Sequence, residues 1–193
     1  MRILRAAQHR VMPWKNGLGS TSEIAVWPEG AGLDEFDWRV SMATVRADGP
    51  FSEFAGIDRT LTVLDGAGIR LRLGGEPSVE LTTRSAPFWF PGDVPTLGTL
   101  LDGEIVDFNV MSRRGRLTHA VRRIDPPGEI ETQGAATLLF CSSGVLDVES
   151  AGGRVRLNRH DAILAETVQR RTWRLFTQQP PSGLFCVEFF AVS

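Results

Sequence analysis

The chain has 193 residues, of which 42% are hydrophobic and 23% charged, an ordinary composition for a globular protein. Its 21 basic and 23 acidic residues give a formal net charge of −2 and are spread along the chain, which argues against nucleic acid or a membrane surface as partner. No apolar run is long enough for a membrane span, and the N-terminal MRILRAAQHR lacks the apolar core of a signal peptide. Cys141 and Cys186 lie in separate apolar runs, so we expect two buried thiols and a cytoplasmic protein.

Period-two alternation of apolar and polar residues dominates the chain from its N-terminal part onward. It predicts strands over four segments, Glu23–Trp27, Trp38–Met42, Ile69–Leu73 and Ile105–Val110. The 20 glycines and 11 prolines separate such runs about every ten residues, and no stretch of a dozen residues carries a helical stripe. The sequence therefore predicts an all-β fold, a sandwich or a barrel.

A weak internal repeat divides the chain. TVLDGAGIRLRL followed by APFWFPGD in the first half resembles LLFCSSGVLDVES followed by GGRVRLNRHDAILAE in the second. Each half contains a strand, a glycine turn, a second strand and a third strand near an aspartate. We predict two related β units, residues 1–115 and 116–193. Because the polar clusters lie in the first unit, we expect it to carry the site, with the second mainly structural.

The segment Trp14–Ile24 concentrates hydrogen-bonding side chains around the turn signal Asn16-Gly17. Lys15, Asn16 and Glu23 are its candidate ligand-binding residues. The spacing of a phosphate-binding loop is absent, and no helix follows. Two interpretations stay open: a solvated hairpin with Trp14 packed beneath it, or a loop that closes over a ligand.

The segment that ends at Arg59 combines aromatic and polar residues. If a strand begins at Arg59, then Arg59, Leu61 and Val63 point to the same side, which sets a guanidinium beside apolar residues. An arginine in that position is suited to hold a carboxylate through two parallel hydrogen bonds. Alternatively, Arg59 only stabilises a turn by pairing with a neighbouring or facing carboxylate: Asp58, Glu53 or Asp107.

The strand beginning at Ile105 carries two further candidates. Asp107, Asn109 and Met111 share one face, and Val106 and Phe108 lie on the other. The polar face either points to water, the default for a single strand, or contributes to the same site as Arg59.

These motifs together resemble one known family. WKNGLGSTSE, WRVSMATV, DGPFSEFAGIDRTLTVLDGAG, PFWFPGD and DFNVMSRRG closely resemble the HutD/Ves family. The resemblance implies a cupin-like fold with two jelly-roll units in one chain, a bicupin. It covers nearly all of the first predicted unit and is much less distinctive in the second.

The resemblance also bears on metal. A metal-binding cupin is expected to place two His and a Glu before a turn like VLDGAG, and a third His after a Pro-Gly pair. Here the segment 56–60 contains no histidine, and Pro95 takes the position of the third. His9, His119 and His160 are isolated from one another and from these motifs. We therefore predict no metal and no other cofactor.

A cationic Arg59 in place of a metal predicts a small anionic ligand, most simply a carboxylate. Because HutD-like proteins are associated with bacterial histidine utilisation, the resemblance implies urocanate or an N-formyl or N-formimino glutamate. Aromatic residues either line such a ligand or belong to the core. The complete candidate ligand-binding set is Arg59, Lys15, Asn16, Glu23, Ser41, Phe51, Phe54, Phe90, Asp107 and Asn109.

Three functions fit these residues. The first is a regulatory or sensing protein that binds a carboxylate. The second is a metal-free isomerase or hydrolase in which Glu23, Asp107 or Glu53 acts as acid or base. The third is a structural module with a vestigial pocket. Exposed strand edges would also allow a homodimer.

Overall fold

The computed structural model describes residues 1–14, 16–166, 169–177 and 183–192 of the chain. Over these residues the secondary structure consists of strands and one 3-10 helix, Ala6–Gln8, and contains no α-helix. The prediction of an all-β fold is confirmed. No helix within the described ranges is long and apolar enough to cross a membrane.

The strands are numbered in chain order. The first eleven are β1 (Arg2–Leu4), β2 (Arg10–Pro13), β3 (Gly19–Trp27), β4 (Trp38–Val45), β5 (Gly49–Pro50), β6 (Ile57–Asp65), β7 (Ile69–Leu73), β8 (Val79–Leu81), β9 (Phe88–Pro91), β10 (Thr96–Leu100) and β11 (Ile105–Arg113). The remaining strands are β12 (Leu117–Ile124), β13 (Gly128–Thr132), β14 (Ala136–Ser143), β15 (Leu146–Ser150), β16 (Gly153–Leu157), β17 (Ala162–Glu166), β18 (Arg171–Thr177) and β19 (Gly183–Ala191). The four segments predicted from alternation all lie within strands, namely β3, β4, β7 and β11.

The chain divides into two compact units. Unit A is Arg10–Leu117, and unit B combines Met1–His9 with Thr118–Ser193. Unit A contains a six-stranded sheet in the order β2-β3-β4-β11-β6-β9 and a four-stranded sheet in the order β5-β10-β7-β8. Neighbouring strands of both sheets run antiparallel.

The core of unit A lies between its two sheets. Leu61 and Val63 of the six-stranded sheet are packed in one cluster with Ile69 and Leu71 of the four-stranded sheet. A smaller cluster at the Arg59 end of the six-stranded sheet contains Phe36, Ile57 and Met111. Alternation explains this arrangement, because Leu61 and Val63 of β6, and Ile69 and Leu71 of β7, are apolar residues two positions apart that point to the same side of their sheet.

Unit B contains a five-stranded sheet in the order β1-β17-β14-β19-β12 and a four-stranded sheet in the order β13-β18-β15-β16. Its core is apolar and includes Leu139, Trp173 and both cysteines, which are free and buried as expected. Trp173 satisfies its buried Nε1–H by donating to Thr132 Oγ1 at 2.9 Å. Cys186 is fully buried, and burial raises the pKa of its thiol to about 12.

The first nine residues belong to a different unit from the one that the sequence suggested. We placed residues 1–115 together, but β1 pairs with β17 of unit B. Asp161 explains this placement, because its carboxylate accepts hydrogen bonds from Arg5 Nη1 at 2.8 Å and from the Ala6 N–H at 2.9 Å. It also accepts one from the Asn158 N–H at 3.0 Å, and it is buried. No local pattern in the sequence reveals a contact between residues that are 155 or 156 positions apart.

We expect an Asp161→Ala variant to lose about 2 to 3 kcal/mol of free energy of unfolding, because charge-assisted hydrogen bonds to a buried carboxylate are removed together. Urea denaturation followed by circular dichroism measures this loss. A matched control is Glu166→Ala, since Glu166 is exposed and forms only a 4.0 Å ion pair with Arg2. The control should change by less than about 0.5 kcal/mol. Equal stability of the two variants would show that Asp161 does not fix the N-terminal segment.

Candidate functional site

A buried polar cluster lies on the inner face of the six-stranded sheet of unit A. The register sets Asn109 of β11 between Ser41 of β4 and Leu61 of β6. In the next row, Arg59 of β6 lies beside Met111 of β11. Because side chains alternate along a strand, these positions all face the interior. The sheet thereby brings together polar residues that are far apart in sequence.

Arg59 is the centre of this cluster, with only 6% of its surface exposed. Its Nε donates to Asn109 Oδ1 at 2.8 Å, and its Nη2 donates to the same oxygen. One acceptor therefore occupies the Nε side of the guanidinium. Within the described residues no acceptor contacts Nη1, so the end formed by Nη1 and Nη2 keeps donors available.

Asn109 connects Arg59 to a second charge. Its Nδ2 donates to Oδ1 of Asp107, two residues earlier on the same face of β11. Asp107 is completely buried. Its other oxygen, Oδ2, has no hydrogen-bond partner among the described residues. A buried carboxylate oxygen without a donor is energetically costly and marks the place where a further group would be favourable.

An ion pair lies in the same sheet, beside the Arg59 cluster. Arg39 of β4 donates from Nε to Glu23 Oε2 of β3 at 2.8 Å, and only 5% and 13% of the two side chains are exposed. Ser41, also buried, lies opposite both Glu23 and Asn109 in the register. The inner face thus carries two arginines and two carboxylates.

Burial changes the acid–base properties of the cluster. It raises the pKa of Asp107 to about 6, an effect that the Arg59 charge and the hydrogen bonds from Asn109 and Ala43 only partly oppose. It also lowers the pKa of Arg59 to about 10, with Asp107 opposing the change and Arg39 adding to it. Arg59 is therefore cationic at neutral pH, whereas Asp107 titrates close to physiological pH.

Two aromatic rings flank the guanidinium. The Arg59 Cζ atom lies 4.7 Å from the ring centre of Phe51 and 5.5 Å from that of Phe90. Both distances are within the range of cation–π attraction. Gly98 of β10 makes room for Phe51, since a Cβ there would lie 2.6 Å from a ring carbon of Phe51. Phe51 also lines a surface cavity of about 200 Å³ with Glu53, Arg72 and others, a lining that does not include Arg59.

Two of the predicted site residues lie apart from this cluster, and a third, Lys15, lies outside the described residues. Asn16 is exposed, and its Oδ1 accepts from the Leu18 N–H at 3.0 Å within the turn. Phe54 packs with Phe36 in the small apolar cluster, with ring centres 6.3 Å apart. The structure brings together the other seven: Glu23, Ser41, Phe51, Arg59, Phe90, Asp107 and Asn109.

Asp58 and Arg59 are neighbours in sequence but contact different partners. Asp58 forms an ion pair with Arg114 at 2.9 Å, and Arg114 also contacts Asp93 at 3.1 Å. Since adjacent residues of a strand point to opposite sides, this surface network leaves Arg59 free to face the interior. Arg59 therefore does not stabilise the turn through Asp58.

Sequence reasoning missed Arg39 as a member of the cluster. Alternation along β4 puts Arg39 on the same face as Ser41, so a signal is present in the sequence. The sequence of one strand does not show which face lies at the site, because both faces of β4 are buried and the face opposite Arg39 is the more apolar.

The donor set of this cluster does not fit a transition-metal site. It offers two carboxylates, an amide and two cationic guanidiniums, and it contains no imidazole. Within the described residues, no three His, Cys, Asp or Glu side chains are grouped so that they could hold a metal ion. The Arg59 charge would also repel a cation. We therefore derive no step through a metal.

Comparison with known sequences identifies the family that this chain matches. The sequence model of the family described as HutD matches residues 6–180. A 21.2 kDa protein encoded in the hutC 3′ region of Pseudomonas putida is 39% identical over 167 residues, covering 86% of this chain and 87% of that protein. Protein Ves of Cronobacter sakazakii is 39% identical over 113 residues, 58% of this chain, and the match spans 60% of Ves.

Solved structures agree with this assignment. A conserved protein of unknown function from Pseudomonas aeruginosa PAO1 superposes with a TM-score of 0.90 at 40% identity, covering 98% of both chains. HutD from Pseudomonas fluorescens SBW25, described in a formate condition, gives a TM-score of 0.85 at 30% identity, covering 100% of this chain and 99% of that one. A cupin 2 conserved barrel protein from Leptotrichia buccalis, 5% identical, gives 0.60 over 98% of this chain and 100% of that one. The last match shows a cupin-like fold alone.

We predict that the purified protein contains less than stoichiometric iron, manganese and zinc, because the cluster lacks suitable ligands and carries two guanidiniums. Elemental analysis by mass spectrometry after extensive dialysis measures the content. One metal ion per chain that is released only by denaturation would contradict the prediction.

We predict that Asp107 makes stability depend on pH. A carboxyl group with a higher pKa in the folded chain binds its proton more tightly there, so the stabilisation is present at low pH and is lost as pH rises through about 6. Relative to Asp107→Asn, the free energy of unfolding of the wild type should fall by about 3 kcal/mol between about pH 3 and pH 7. Urea titrations across this range measure the difference, and a constant difference would contradict the prediction.

Proposed function

Since this chain belongs to the HutD family, which is linked to a histidine-utilisation locus, we propose that it is a metal-free binding protein for a small carboxylate with a regulatory or sensing role in histidine catabolism. The observation that carries this proposal is the buried guanidinium of Arg59, whose Nη1–Nη2 end has donors available. A regulatory protein of this kind would act in the cytoplasm, and its open strand edges would allow a homodimer.

The guanidinium suits a carboxylate for geometric reasons. A carboxylate accepts two parallel N–H donors from one edge of an arginine, and both charges are then satisfied. Asn109 occupies only the Nε side, so the remaining edge matches a ligand with two oxygens. A buried arginine whose charge had no such partner would destabilise the folded protein.

The surroundings suit a ligand with a flat or apolar body. Phe51 and Phe90 flank the guanidinium, and Phe51 also lines the neighbouring 200 Å³ cavity. In our proposal the Phe51 ring moves and joins the cavity to Arg59, so that the ligand enters from the four-stranded sheet. Urocanate fits these requirements, and N-formyl or N-formimino glutamate is the other candidate. Lys15 and Asn16 would contact the ligand only if the turn before β3 closes over it, whereas Phe54 would stay packed against Phe36.

The proposed architecture is a bicupin in which each unit is one jelly roll. The support is that each unit pairs a larger sheet with a four-stranded one around its own core. Among the described residues, the linked buried charges of Arg59, Asp107, Arg39 and Glu23 lie in unit A, so the proposed ligand site belongs to that unit.

A metal-free enzyme is the second candidate function. One observation favours it: Asp107 is buried, has a free oxygen and titrates near pH 6, as a general acid or base would. An isomerase or hydrolase acting on a small carboxylic acid would need Arg59 for binding and Asp107 for proton transfer. Conversion of a bound acid, followed by ultraviolet absorbance or NMR, separates the enzyme from the sensor.

Thermal shift with a panel of acids from histidine breakdown tests the binding function. A ligand at about a hundred times its Kd should stabilise the protein by about 2.7 kcal/mol. Arg59→Lys keeps the charge but removes the two-donor edge, and we expect it to lose at least tenfold in affinity. The matched control is Arg70→Lys, because Arg70 is half exposed and pairs only with Glu80.

The control should bind as the wild type does. The binding function is contradicted if no acid of the panel stabilises the wild type, or if Arg59→Lys binds as tightly as Arg70→Lys.

A further inference from the structure

The unpartnered oxygen of Asp107 restricts what can bind beside Arg59. Asp107 is fully buried, and its Oδ1 accepts from Asn109. The Ala43 N–H also acts on this carboxyl group, but Oδ2 is left without a hydrogen-bond partner among the described residues. Whether Asp107 is ionised or protonated, a new hydrogen-bond partner at this oxygen would lower the free energy of the folded protein. Arg59 and Asp107 are linked through one amide side chain, that of Asn109.

The charges that face Asp107 are balanced. Glu23 from β3 and Arg39 from β4 form one pair, and Arg59 from β6 compensates Asp107 from β11. The remaining packed strands contribute apolar side chains: Phe88 and Phe90 from β9, Ile69 and Leu71 from β7, and Leu81 from β8. Among the described residues the interior cluster therefore has a formal charge of zero when both carboxylates are ionised.

A carboxylate ligand would disturb this balance. It adds one negative charge at low dielectric, close to the charge of Asp107, and two carboxylates at such a distance do not both ionise easily. The balance returns if one proton enters with the ligand. Oδ2 of Asp107 is the atom assigned to carry it, because it is a fully buried carboxylate oxygen without a hydrogen-bond partner among the described residues.

On the basis of the proposed function, we propose that the site takes a monoanionic carboxylate together with one proton, and that Asp107 acts as a specificity residue by donating its Oδ2 proton to one ligand oxygen. The proton comes from solvent, and no bond of the ligand breaks. Arg59 holds the ligand oxygens through its Nη1–Nη2 edge, and Asn109 fixes both groups. The raised pKa of Asp107, about 6 before binding, is consistent with this step, since a ligand anion raises it further.

The arrangement selects the class of ligand. A carboxylate is accepted because the protonated Asp107 adds a donor to those of Arg59. An ammonium or amidinium group in the same position is rejected by Arg59. A second carboxylate has no further proton site in the cluster, so it would have to remain outside it.

The pH dependence of formate affinity tests the inference. Formate is small enough to enter with little rearrangement and stays ionised from about pH 6 to pH 8. If one proton is taken up, the Kd of the wild type should rise towards tenfold for each pH unit above the pKa of Asp107. Titrations monitored by NMR chemical shifts give the Kd at each pH.

Asp107→Asn keeps the shape of the side chain and removes the titration, so its formate affinity should be independent of pH. The matched control is Asp102→Asn, which makes the same change at an exposed position, and it should keep the wild-type slope. If Asp107→Asn does not fold, the carboxyl carbon shift of Asp107 in the wild type, followed by NMR against pH with and without formate, decides whether this group takes the proton.

The other outcomes are distinguishable. Formate binding that depends on Arg59 but is flat with pH would overturn proton uptake and leave the proposed function standing. A slope that persists in Asp107→Asn would assign the proton to another group and overturn the inference. Affinity that increases with pH would mean that binding releases a proton instead of taking one up, which also overturns the inference. Absence of binding by formate and by the whole acid panel would contradict both proposals.

Discussion

The buried guanidinium of Arg59 is the constraint on which the proposed site depends. A charge in the interior is stable only with compensation, and Asn109, Asp107 and two aromatic rings supply it. The compensation is incomplete in a specific way: one end of the guanidinium and one oxygen of Asp107 keep unused hydrogen-bonding capacity. Both are on the same connected group of side chains, which makes a common ligand the simplest explanation.

Each of the two units contains two sheets, but the interiors of the two units differ in composition. The core of unit B is filled with apolar side chains such as Leu139, Trp173 and Leu184. A buried carboxylate there, Glu188, is satisfied by Arg122 and by the backbone N–H groups of Gln133 and Gly134. In unit A the corresponding interior retains charged residues with free hydrogen-bonding groups. This difference is the reason for placing the proposed site in unit A.

Much of the fold could be predicted from alternation, because a two-residue period is a local property of each strand. The same period predicted that Arg59 shares a face with Leu61 and Val63, and the buried side chain bears this out. Alternation does not show which strands pair, so it could not predict that β11 pairs with β6 or that Arg59 contacts Asn109, fifty residues away. For the same reason it could not predict that β1 pairs with β17. Arg39 was missed because both faces of β4 are buried in the fold, and the sequence of one strand does not distinguish them.

A crystal structure of the protein with bound formate or urocanate is the most direct test of the central claim. We predict a carboxylate on the Nη1–Nη2 edge of Arg59, one of its oxygens within hydrogen-bond distance of Asp107 Oδ2, and a displaced Phe51 ring. A ligand found elsewhere on the chain at saturating concentration, with the Arg59 edge unoccupied, would contradict the account.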